Sequence, residues 1–392
     1  MLVFDPYDWD TQRDPYPVYR RLRDESPCYH NDVRDFWALS RYDDVLAGLR
    51  DWERLSNVGG VALEQDDGTQ ARQVLSFLGM DPPEHDLLRA LVSRAFTPRR
   101  VLELEPHVRA LSCRYLDALC EEEECDFIDG FAGRLPMDVV SELLGVPSED
   151  RERLRTWADT VVHREDGESG VPTRGVEAAI AILGYFRDHV AGRRRRAGAG
   201  DLTDALLAAE VDGKRLQDFD IIAFLFLMII AGNETTTKLL GNALYWAWRH
   251  PEQRRSLHAD PSGVPDWVEE TLRYDPSSQL IARTASTDLE LHGRQIPKGA
   301  KVALLIGSAN RDERYWNDPD RFDMARNTTG SLAFGQGTHF CLGASLARLE
   351  ARVALGEILR RAPGYEISEA GATRIHSANV RGFATLPVRM NP

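Results

Sequence analysis

The residue of this sequence best placed to do chemistry is a cysteine in a glycine-rich stretch that runs into a helical pattern. Residues 334–343 read FGQGTHFCLG, and a helix is predicted to begin at Ala344. Glycine accepts positive φ angles and lets the backbone approach a flat ligand closely. Backbone amides of the loop and of the helix N-terminus would stabilise a thiolate on Cys341. A lone cysteine is more often a small buried apolar residue, but that interpretation leaves the spacing around it unexplained.

A second chemically capable set of residues interrupts an apolar helix. Residues 218–249 predict one long helix, closed by His250-Pro251, whose first half is apolar on nearly every face and therefore buried. Residues 231–236 of this helix read AGNETT. Glycine costs about 1 kcal/mol in a helix interior, and an unpaired buried carboxylate costs more. A kink with Thr235 bonded to an earlier carbonyl would explain the threonine but not Glu234, so we interpret the motif as functional.

Two further pairs of charged or titratable residues have helical spacing. His85 and Arg89 are four residues apart, and Glu270 and Arg273 are three apart, so each pair shares one face of a predicted helix. Taken alone, such pairs are solvated contacts that contribute little to stability. Any role for them depends on what the fold places around them.

The loop pattern Phe-Gly-x-Gly-x-His-x-Cys-x-Gly resembles the haem-binding loop of the cytochrome P450 family. The resemblance implies that Cys341 is the axial thiolate ligand of the iron in haem b, and that O2 is a co-substrate. A thiolate donates electron density to iron and favours O–O cleavage. Glu234 and Thr235 resemble the acid–alcohol pair that relays protons to dioxygen in this family. Gly232, beside Ala231, would leave room for O2 near the iron.

The same resemblance assigns roles to residues that lie far apart in the sequence. It implies that the haem propionates are bound by His85, Arg89, Arg283 and His339. It also implies contacts with the cofactor for Ala231, Gly232, Phe334, Gly335 and Gly343. A structural ion-pair network behind the haem loop is implied for Glu270, Arg273 and Arg326. The substrate pocket is expected to include Phe224, Met228, Leu280, Ile281 and Val380.

The implied fold is mainly α with minor β: a single triangular P450 domain over residues 1–392, with a long central helix and small β-sheets. Helical patterns predict helices over residues 98–120, 131–144, 148–163 and 173–196. Residues 289–303 predict a hairpin with its turn at Pro297-Lys298-Gly299. The irregular stretch from Ser56 to Gly79 is expected to cover the substrate.

Composition limits the partners and the compartment. A net charge of −14 argues against nucleic acid as the main partner. The N-terminus carries no secretion-signal pattern, and the most apolar run, residues 221–231, is about half the ~20 residues that span a bilayer. Five cysteines, an odd number, indicate no disulfide framework and suit a reducing compartment. We therefore expect a cytoplasmic protein without a membrane anchor, acting as a monomer.

The resemblance implies a monooxygenase that hydroxylates or epoxidises a lipophilic small molecule. Bacterial secondary metabolism is the expected setting, with a polyketide or macrolide, terpenoid or steroid-like substrate. No flavin or iron–sulfur signature is present, so electrons are expected from a ferredoxin and an NAD(P)H-dependent ferredoxin reductase. A basic patch for that acidic donor is a possible role for Arg94, Arg99, Arg100, Arg348 and Arg352. The alternatives are a peroxide-driven haem peroxygenase, a non-catalytic haem-binding sensor or carrier, and a helical scaffold without cofactor.

Overall fold

The computed structural model describes residues 2–64, 76–93, 96–168, 170–195, 200–211 and 214–390, and 55% of the chain is helical. The mainly α fold predicted from the sequence is confirmed. The described helices are α1 (Trp9–Arg13), α2 (Tyr16–Glu25), α3 (Tyr42–Arg50), α4 (Glu84–Ser93), α5 (Pro98–Glu103), α6 (Glu105–Cys120), α7 (Arg134–Leu144), α8 (Ser148–Val162), α9 (Thr173–Arg194), α10 (Leu202–Ala208), α11 (Asp218–Arg249), α12 (Pro251–Ala259), α13 (Val264–Tyr274), α14 (Ile306–Ala309) and α15 (Ala344–Arg361).

Short strands form small sheets beside this helical body. The described strands are β1 (Cys28–Asn31), β2 (Phe36–Leu39), β3 (Leu55–Ser56), β4 (Cys125–Asp126), β5 (Glu210–Val211), β6 (Lys214–Arg215), β7 (Ile281–Ala285), β8 (Leu289–Leu291), β9 (Arg294–Ile296), β10 (Lys301–Leu304), β11 (Glu366–Ile367), β12 (Thr373–Arg374), β13 (Phe383–Thr385) and β14 (Pro387–Arg389). The largest sheet has the order β1-β2-β10-β7-β3, in which β10 runs parallel to β2 and antiparallel to β7. It therefore joins the N-terminal strands to residues far along the chain.

Helix α11 runs through the main hydrophobic core. It begins at a capping box, in which the backbone N–H of Gln217 donates to Asp220 Oδ2 at 3.1 Å, and it ends before Pro251. It packs against α7, α8, α9, α13 and α15. Because its apolar side chains meet neighbours on nearly all sides, Phe224, Leu225 and Ile229 are fully buried. Both bounds of this helix agree with the sequence prediction.

By length and composition, α11 is the one helix among the described residues that could cross a bilayer. More than half of its most apolar window is buried inside the protein. The helices that pack around it supply the apolar surroundings that its side chains require. Its apolar character is accounted for by its place in the core.

Two local predictions are wrong, and each has a physical cause. The hairpin turn lies at His292-Gly293, between β8 and β9, because Gly293 supplies the left-handed φ of +70° that a tight turn needs. Pro297–Gly299 instead leads into β10, which belongs to the five-stranded sheet. The single helix predicted over residues 98–120 is divided at Leu104, because Pro106 has no N–H to continue the hydrogen-bond ladder.

Candidate active site

The loop before α15 has the backbone conformation that its glycines predict. Gly335 and Gly337 have φ angles of +70° and +71°, values that a residue with a side chain adopts only with strain. A Cβ at Gly337 would also lie 3.1 Å from the carbonyl oxygen of Leu49 and from the Cα of Arg50. The backbone N–H of Cys341 donates to the carbonyl oxygen of Phe334 at 2.9 Å, which closes the loop. The cysteine is thereby held immediately ahead of a helix.

Opposing influences act on the sulfur of Cys341. Cys341 as a residue is exposed, yet the protein atoms packed around its sulfur act to raise the pKa of the thiol, and the net pKa shift is upward. The backbone amides of Gly343 and Ala344 and the charges of Arg89 and Arg348 act to lower the pKa. The four opposing groups are the ones that would stabilise a thiolate once a metal cation binds the sulfur.

Four positively charged or imidazole side chains gather beside this loop. The rings of His85 and His339 lie 4.3 Å apart between centroids. Burial, followed by the charges of Arg283, His85 and Arg89, lowers the pKa of His339 to about 3. Arg283 is 2% exposed, and burial lowers the pKa of its guanidinium to about 10. The structure therefore brings together the four residues that the sequence predicts as propionate ligands.

The hydrogen bonding of these four side chains suits an anionic ligand. Within the described part of the chain, Arg283 donates only to the carbonyl oxygen of Ala282, at 3.0 Å, and Nε2 of His85 has no partner. Arg89 donates to the carbonyl oxygen of Phe340. Buried guanidinium and imidazole N–H groups without acceptors are costly. A haem carries two carboxylates on one edge. Placed among these side chains, the carboxylates would supply the missing acceptors.

An iron at Cys341 would need more ligands than the described residues gather there. The described residues contain no group of three or more His, Cys, Asp or Glu side chains that could hold a metal ion. A single thiolate is the usual protein contribution where a porphyrin ring supplies four further ligands. The loop, its sulfur and the nearby cations therefore fit a haem.

The AGNETT motif has the helical geometry expected of it and an additional partner. Thr235 Oγ1 donates to the carbonyl oxygen of Ala231 at 2.9 Å, and a Cβ at Gly232 would touch Val140 at 3.4 Å. Glu234 is 2% exposed, and its Oε2 lies 3.3 Å from Nζ of Lys238, one turn further along α11. Lys238 was not among the predicted site residues, although its spacing of four from Glu234 signals such a pair.

The predicted ion-pair network forms in the interior. Arg273 donates to both carboxylate oxygens of Glu270 at 2.7 Å, and both residues are fully buried. Nε of Arg326 lies 3.4 Å from Glu270 Oε1. Arg273 also donates to the carbonyl oxygens of Asn310 and Pro319, each at 2.9 Å. The network ties α13 to the segment that leads into the cysteine loop.

The five predicted pocket residues occupy different parts of the interior. Phe224 and Met228 lie in α11 within the main core, and the Phe224 ring is 6.2 Å from that of Phe77. Leu280 packs with an N-terminal cluster that contains Phe4 and Tyr7. The other two residues belong to β-structure: Ile281 is the first residue of β7, and Val380 forms an isolated β-bridge with Ser278. These five side chains therefore do not form one continuous apolar cluster.

The arginines of the predicted basic patch are largely paired with acids. Arg348 binds Glu269, Arg352 lies 3.8 Å from Glu105, and Arg99 lies 3.4 Å from Glu103. Arg94 lies outside the described residues. Phe340, next to the cysteine, is 38% exposed. This face is therefore a mixed surface of ion pairs around an exposed aromatic ring.

Three comparisons with known proteins agree. The family model described as cytochrome P450 matches residues 182–362. Cytochrome P450 123 of Mycobacterium tuberculosis is 56% identical over 389 residues, which cover 99% of this chain and 96% of the relative. Among solved structures, CYP109E1 from Bacillus megaterium in complex with testosterone has a TM-score of 0.90 and 32% identity, covering 98% of this chain and 99% of its own. PksS, the P450 of the bacillaene polyketide synthase of Bacillus subtilis, has the same TM-score and identity and covers both chains completely.

Proposed function

Since the chain belongs to the cytochrome P450 family of haem-thiolate monooxygenases, which use O2, we propose that it hydroxylates or epoxidises a lipophilic small molecule in bacterial secondary metabolism. The observation that carries the proposal is the glycine-shaped loop that holds Cys341 beside four cationic or imidazole side chains. The relatives cover 99% of the chain, which supports treating residues 1–392 as one P450 domain.

The residues that would hold the haem are those of the loop and of the cationic cluster. Cys341 would supply the thiolate ligand, and His85, Arg89, Arg283 and His339 would bind the propionates. When bound, the haem iron supplies reductive activation of O2 with insertion of one oxygen atom into the substrate. We also propose that α11 borders the cofactor at Ala231 and Gly232. We assign to Phe334, Gly335 and Gly343 the role of shaping the loop around the cofactor.

The experiment that tests this assignment is spectroscopic. The purified wild-type protein, supplemented with haem, is expected to give a reduced carbonyl spectrum characteristic of thiolate ligation. In Cys341→His, the spectrum is expected to change to that of an imidazole-ligated haem, because the donor atom changes while the cationic cluster remains. Cys113→Ser, at a half-buried cysteine of α6, is the matched control and is expected to keep the wild-type spectrum. A thiolate spectrum that survives in Cys341→His would refute the assignment.

The acid–alcohol pair is the reason to prefer O2-dependent chemistry over the alternatives. Glu234 is a buried carboxylate one residue before a hydroxyl, on the helix proposed to border the cofactor. We assign to the two side chains the transfer of protons during O2 activation. A peroxide-driven enzyme or a haem-binding sensor has no need for such a path. Full activity with H2O2 alone, without NAD(P)H and electron-transfer proteins, would favour the peroxide-driven alternative.

A lipophilic substrate is supported by the character of the described interior and by the relatives. Phe224 and Met228 are apolar side chains on α11 upstream of Gly232, although apolar lining is usual for ligand sites. One relative structure contains testosterone, and another belongs to a polyketide synthase system. We therefore propose a polyketide, macrolide, terpenoid or steroid-like molecule. Compounds of these classes can be tested by the shift that they cause in the ferric haem spectrum.

Electrons are proposed to come from a ferredoxin and an NAD(P)H-dependent ferredoxin reductase. The face around Phe340, with Arg348 and Arg352, is the proposed docking surface, because it lies directly outside the cysteine loop. A monomer in the cytoplasm belongs to the same proposal. The packing of α11 among its neighbouring helices accounts for its apolar sequence without a bilayer. Purified enzyme without both electron-transfer proteins is expected not to turn over on NAD(P)H.

A further inference from the structure

A hydrogen bond ties the AGNETT turn of α11 to a segment far along the chain. The hydroxyl of Ser277 donates to the main-chain carbonyl oxygen of Thr235 at 2.7 Å. Ser277 is 6% exposed and lies in the segment that follows α13. Its hydroxyl is therefore largely shielded from water, where a hydrogen bond is costly to lose. None of the proposed roles uses this contact.

The turn that receives this bond carries two features that weaken a helix. Gly232 lowers helix stability because its backbone loses more freedom on folding than that of any other residue. The hydroxyl of Thr235 donates to the carbonyl oxygen of Ala231 at 2.9 Å, an acceptor that the N–H of Thr235 also uses in a regular helix. A threonine that bonds back to the preceding turn bends a helix and slightly destabilises it. The local sequence alone therefore fixes this turn weakly.

The segment that carries Ser277 is, by contrast, held on several sides. Asp275 is fully buried and accepts hydrogen bonds from Nε1 of Trp246 at 2.9 Å and from Nε of Arg381 at 2.8 Å. Nδ2 of Asn242 donates to the carbonyl oxygen of Asp275 at 3.0 Å. The backbone N–H of Arg381 donates to the carbonyl oxygen of Ser277 at 2.7 Å. The main chain at residues 275–277 is therefore positioned by contacts outside the AGNETT turn.

The spacing along α11 explains why this segment meets the motif. Thr235, Asn242 and Trp246 follow one another at steps of seven and four residues, which places them on one face of the helix. All three contact residues 275–277. The AGNETT turn thus continues a helix face that is already bonded to the segment after α13.

We propose that Ser277 is a positioning residue for Thr235: its hydroxyl anchors the main chain of the AGNETT turn to the segment after α13 and so fixes the direction of the Thr235 side chain. The inference rests on the proposed function, in which Thr235 takes part in proton transfer. A carbonyl oxygen has two lone pairs, so that of Thr235 accepts from Ser277 and from the N–H of Leu239 within the helix. Support of this kind matters because a reacting group displaced by about 1 Å loses much of its effect.

The first measurement is structural and needs no turnover. Ser277→Ala removes the hydroxyl and keeps the backbone bond from Arg381. In the full-length holoenzyme, we expect amide hydrogen exchange over residues 231–240 to become about two- to tenfold faster, the range that one lost hydrogen bond produces. Exchange over residues 105–120, in α6, is expected to stay as in the wild type. Mass spectrometry of peptic fragments measures both.

The second measurement follows the reducing equivalents. O2 takes two electrons and two protons to give H2O2, and twice as many of each to give two molecules of water. The assay uses NADPH, a surrogate ferredoxin and its reductase, with O2 as the acceptor. The ratio of H2O2 to water is expected to rise in Thr235→Ala and, by at least about twofold, in Ser277→Ala. In the double variant the change at 277 should add nothing, because its effect passes through Thr235.

A matched control removes the same kind of bond elsewhere. The hydroxyl of Thr203, a fully buried residue of α10, donates to the carbonyl oxygen of Leu144 at 2.7 Å. Thr203→Val is expected to lower thermal stability about as much as Ser277→Ala. It should leave both the exchange over residues 231–240 and the ratio of H2O2 to water unchanged. An equal rise of that ratio in both variants would reflect general destabilisation and would overturn the inference.

Two further results would overturn the inference while leaving the proposed function intact. One is wild-type exchange over residues 231–240 in Ser277→Ala. The other is a rise of the H2O2-to-water ratio that persists in full when Ser277→Ala is combined with Thr235→Ala, since Ser277 would then act independently of Thr235. Failure of the proposed function is a separate result. It would be visible as a wild-type protein without the spectrum of a thiolate-bound haem, or as a wild-type ratio in Thr235→Ala.

Discussion

At the scale of single residues, the chemistry depends on positions where only one type of side chain fits. Gly335 and Gly337 hold the cysteine loop in a left-handed conformation. Arg283 is buried, and within the described residues its guanidinium donates only to the carbonyl oxygen of Ala282. The glycines are the residues that adopt this conformation without strain, whereas the buried charge of Arg283 makes the isolated protein less stable than it could be. Such local conflict is typical of residues that serve a ligand.

The two loop glycines offer a matched pair of substitutions. Alanine at either position has to adopt a φ near +70°, which costs about 1–2 kcal/mol. At Gly337 the new Cβ would also lie 3.1 Å from the backbone of Leu49 and Arg50, whereas at Gly335 the nearest atom is 3.9 Å away. We therefore expect Gly337→Ala to lose more haem than Gly335→Ala. The haem-to-protein ratio after purification measures this, and equal loss from both variants would contradict it.

At the scale of secondary-structure elements, buried polar contacts fix how helices and loops meet. The Glu270–Arg273 pair of α13 reaches Arg326 and the carbonyl oxygens of Asn310 and Pro319. Sequence spacing identifies the two helical members, because residues three apart share a face. It gives no information on the carbonyl partners, which depend on the path of the segment from residue 310 to 326.

Removing one member of this buried pair should be costly. Glu270→Ala leaves Arg273 as an uncompensated charge in the interior, and such changes destabilise proteins by about 3–5 kcal/mol. Asp188→Ala, which breaks an exposed pair with Arg187 on α9, is the control and should change stability little. Urea unfolding of the holoenzyme gives the free energy of unfolding for each variant. Similar values for both variants would contradict a structural role for the Glu270–Arg273 pair.

Whole elements were predicted from the sequence with unequal success. The bounds of α11 followed from its apolar pattern and the closing proline, both of which are local signals. The turn between β8 and β9 was misplaced, because Pro297–Gly299 resembles a turn as strongly as His292-Gly293 does. Helix α1 was not predicted, and its five residues are too few to establish a helical period.

At the scale of the whole molecule, the site is assembled from residues that are distant in sequence. The resemblance of the cysteine loop to a family predicted which side chains should gather around Cys341, and the structure brings His85, Arg89, Arg283 and His339 together. The ion pair between Arg348 of α15 and Glu269 of α13 has no such signal. Only the packing of α13 on α15 brings these two side chains together. Contacts of this kind arise from tertiary structure and are not encoded in local spacing.

The overall charge of the molecule bears on how an electron donor docks. With a net charge of −14, long-range attraction to an acidic ferredoxin depends on local patches rather than on the whole surface. Because Arg352 is partly exposed beside Glu105, Arg352→Glu would leave two acids together at the proposed docking face. We expect a several-fold higher KM for ferredoxin at low salt, with the difference shrinking as ionic strength rises. Arg187→Glu on α9 is the control, and an equal effect there would argue against a specific surface.

The close approach of the backbone at Gly382 to Lys238 of α11 has an evolutionary consequence. A Cβ at position 382 would lie 2.4 Å from the Cβ of residue 238 and 2.9 Å from its Cα, and a shorter side chain at 238 keeps both atoms. Related sequences should therefore keep the glycine at 382 whichever side chain they carry at 238. Constancy at the one position beside variation at the other, traced across a sequence alignment, would be the inherited record of a strand of backbone that had to pass close to a helix.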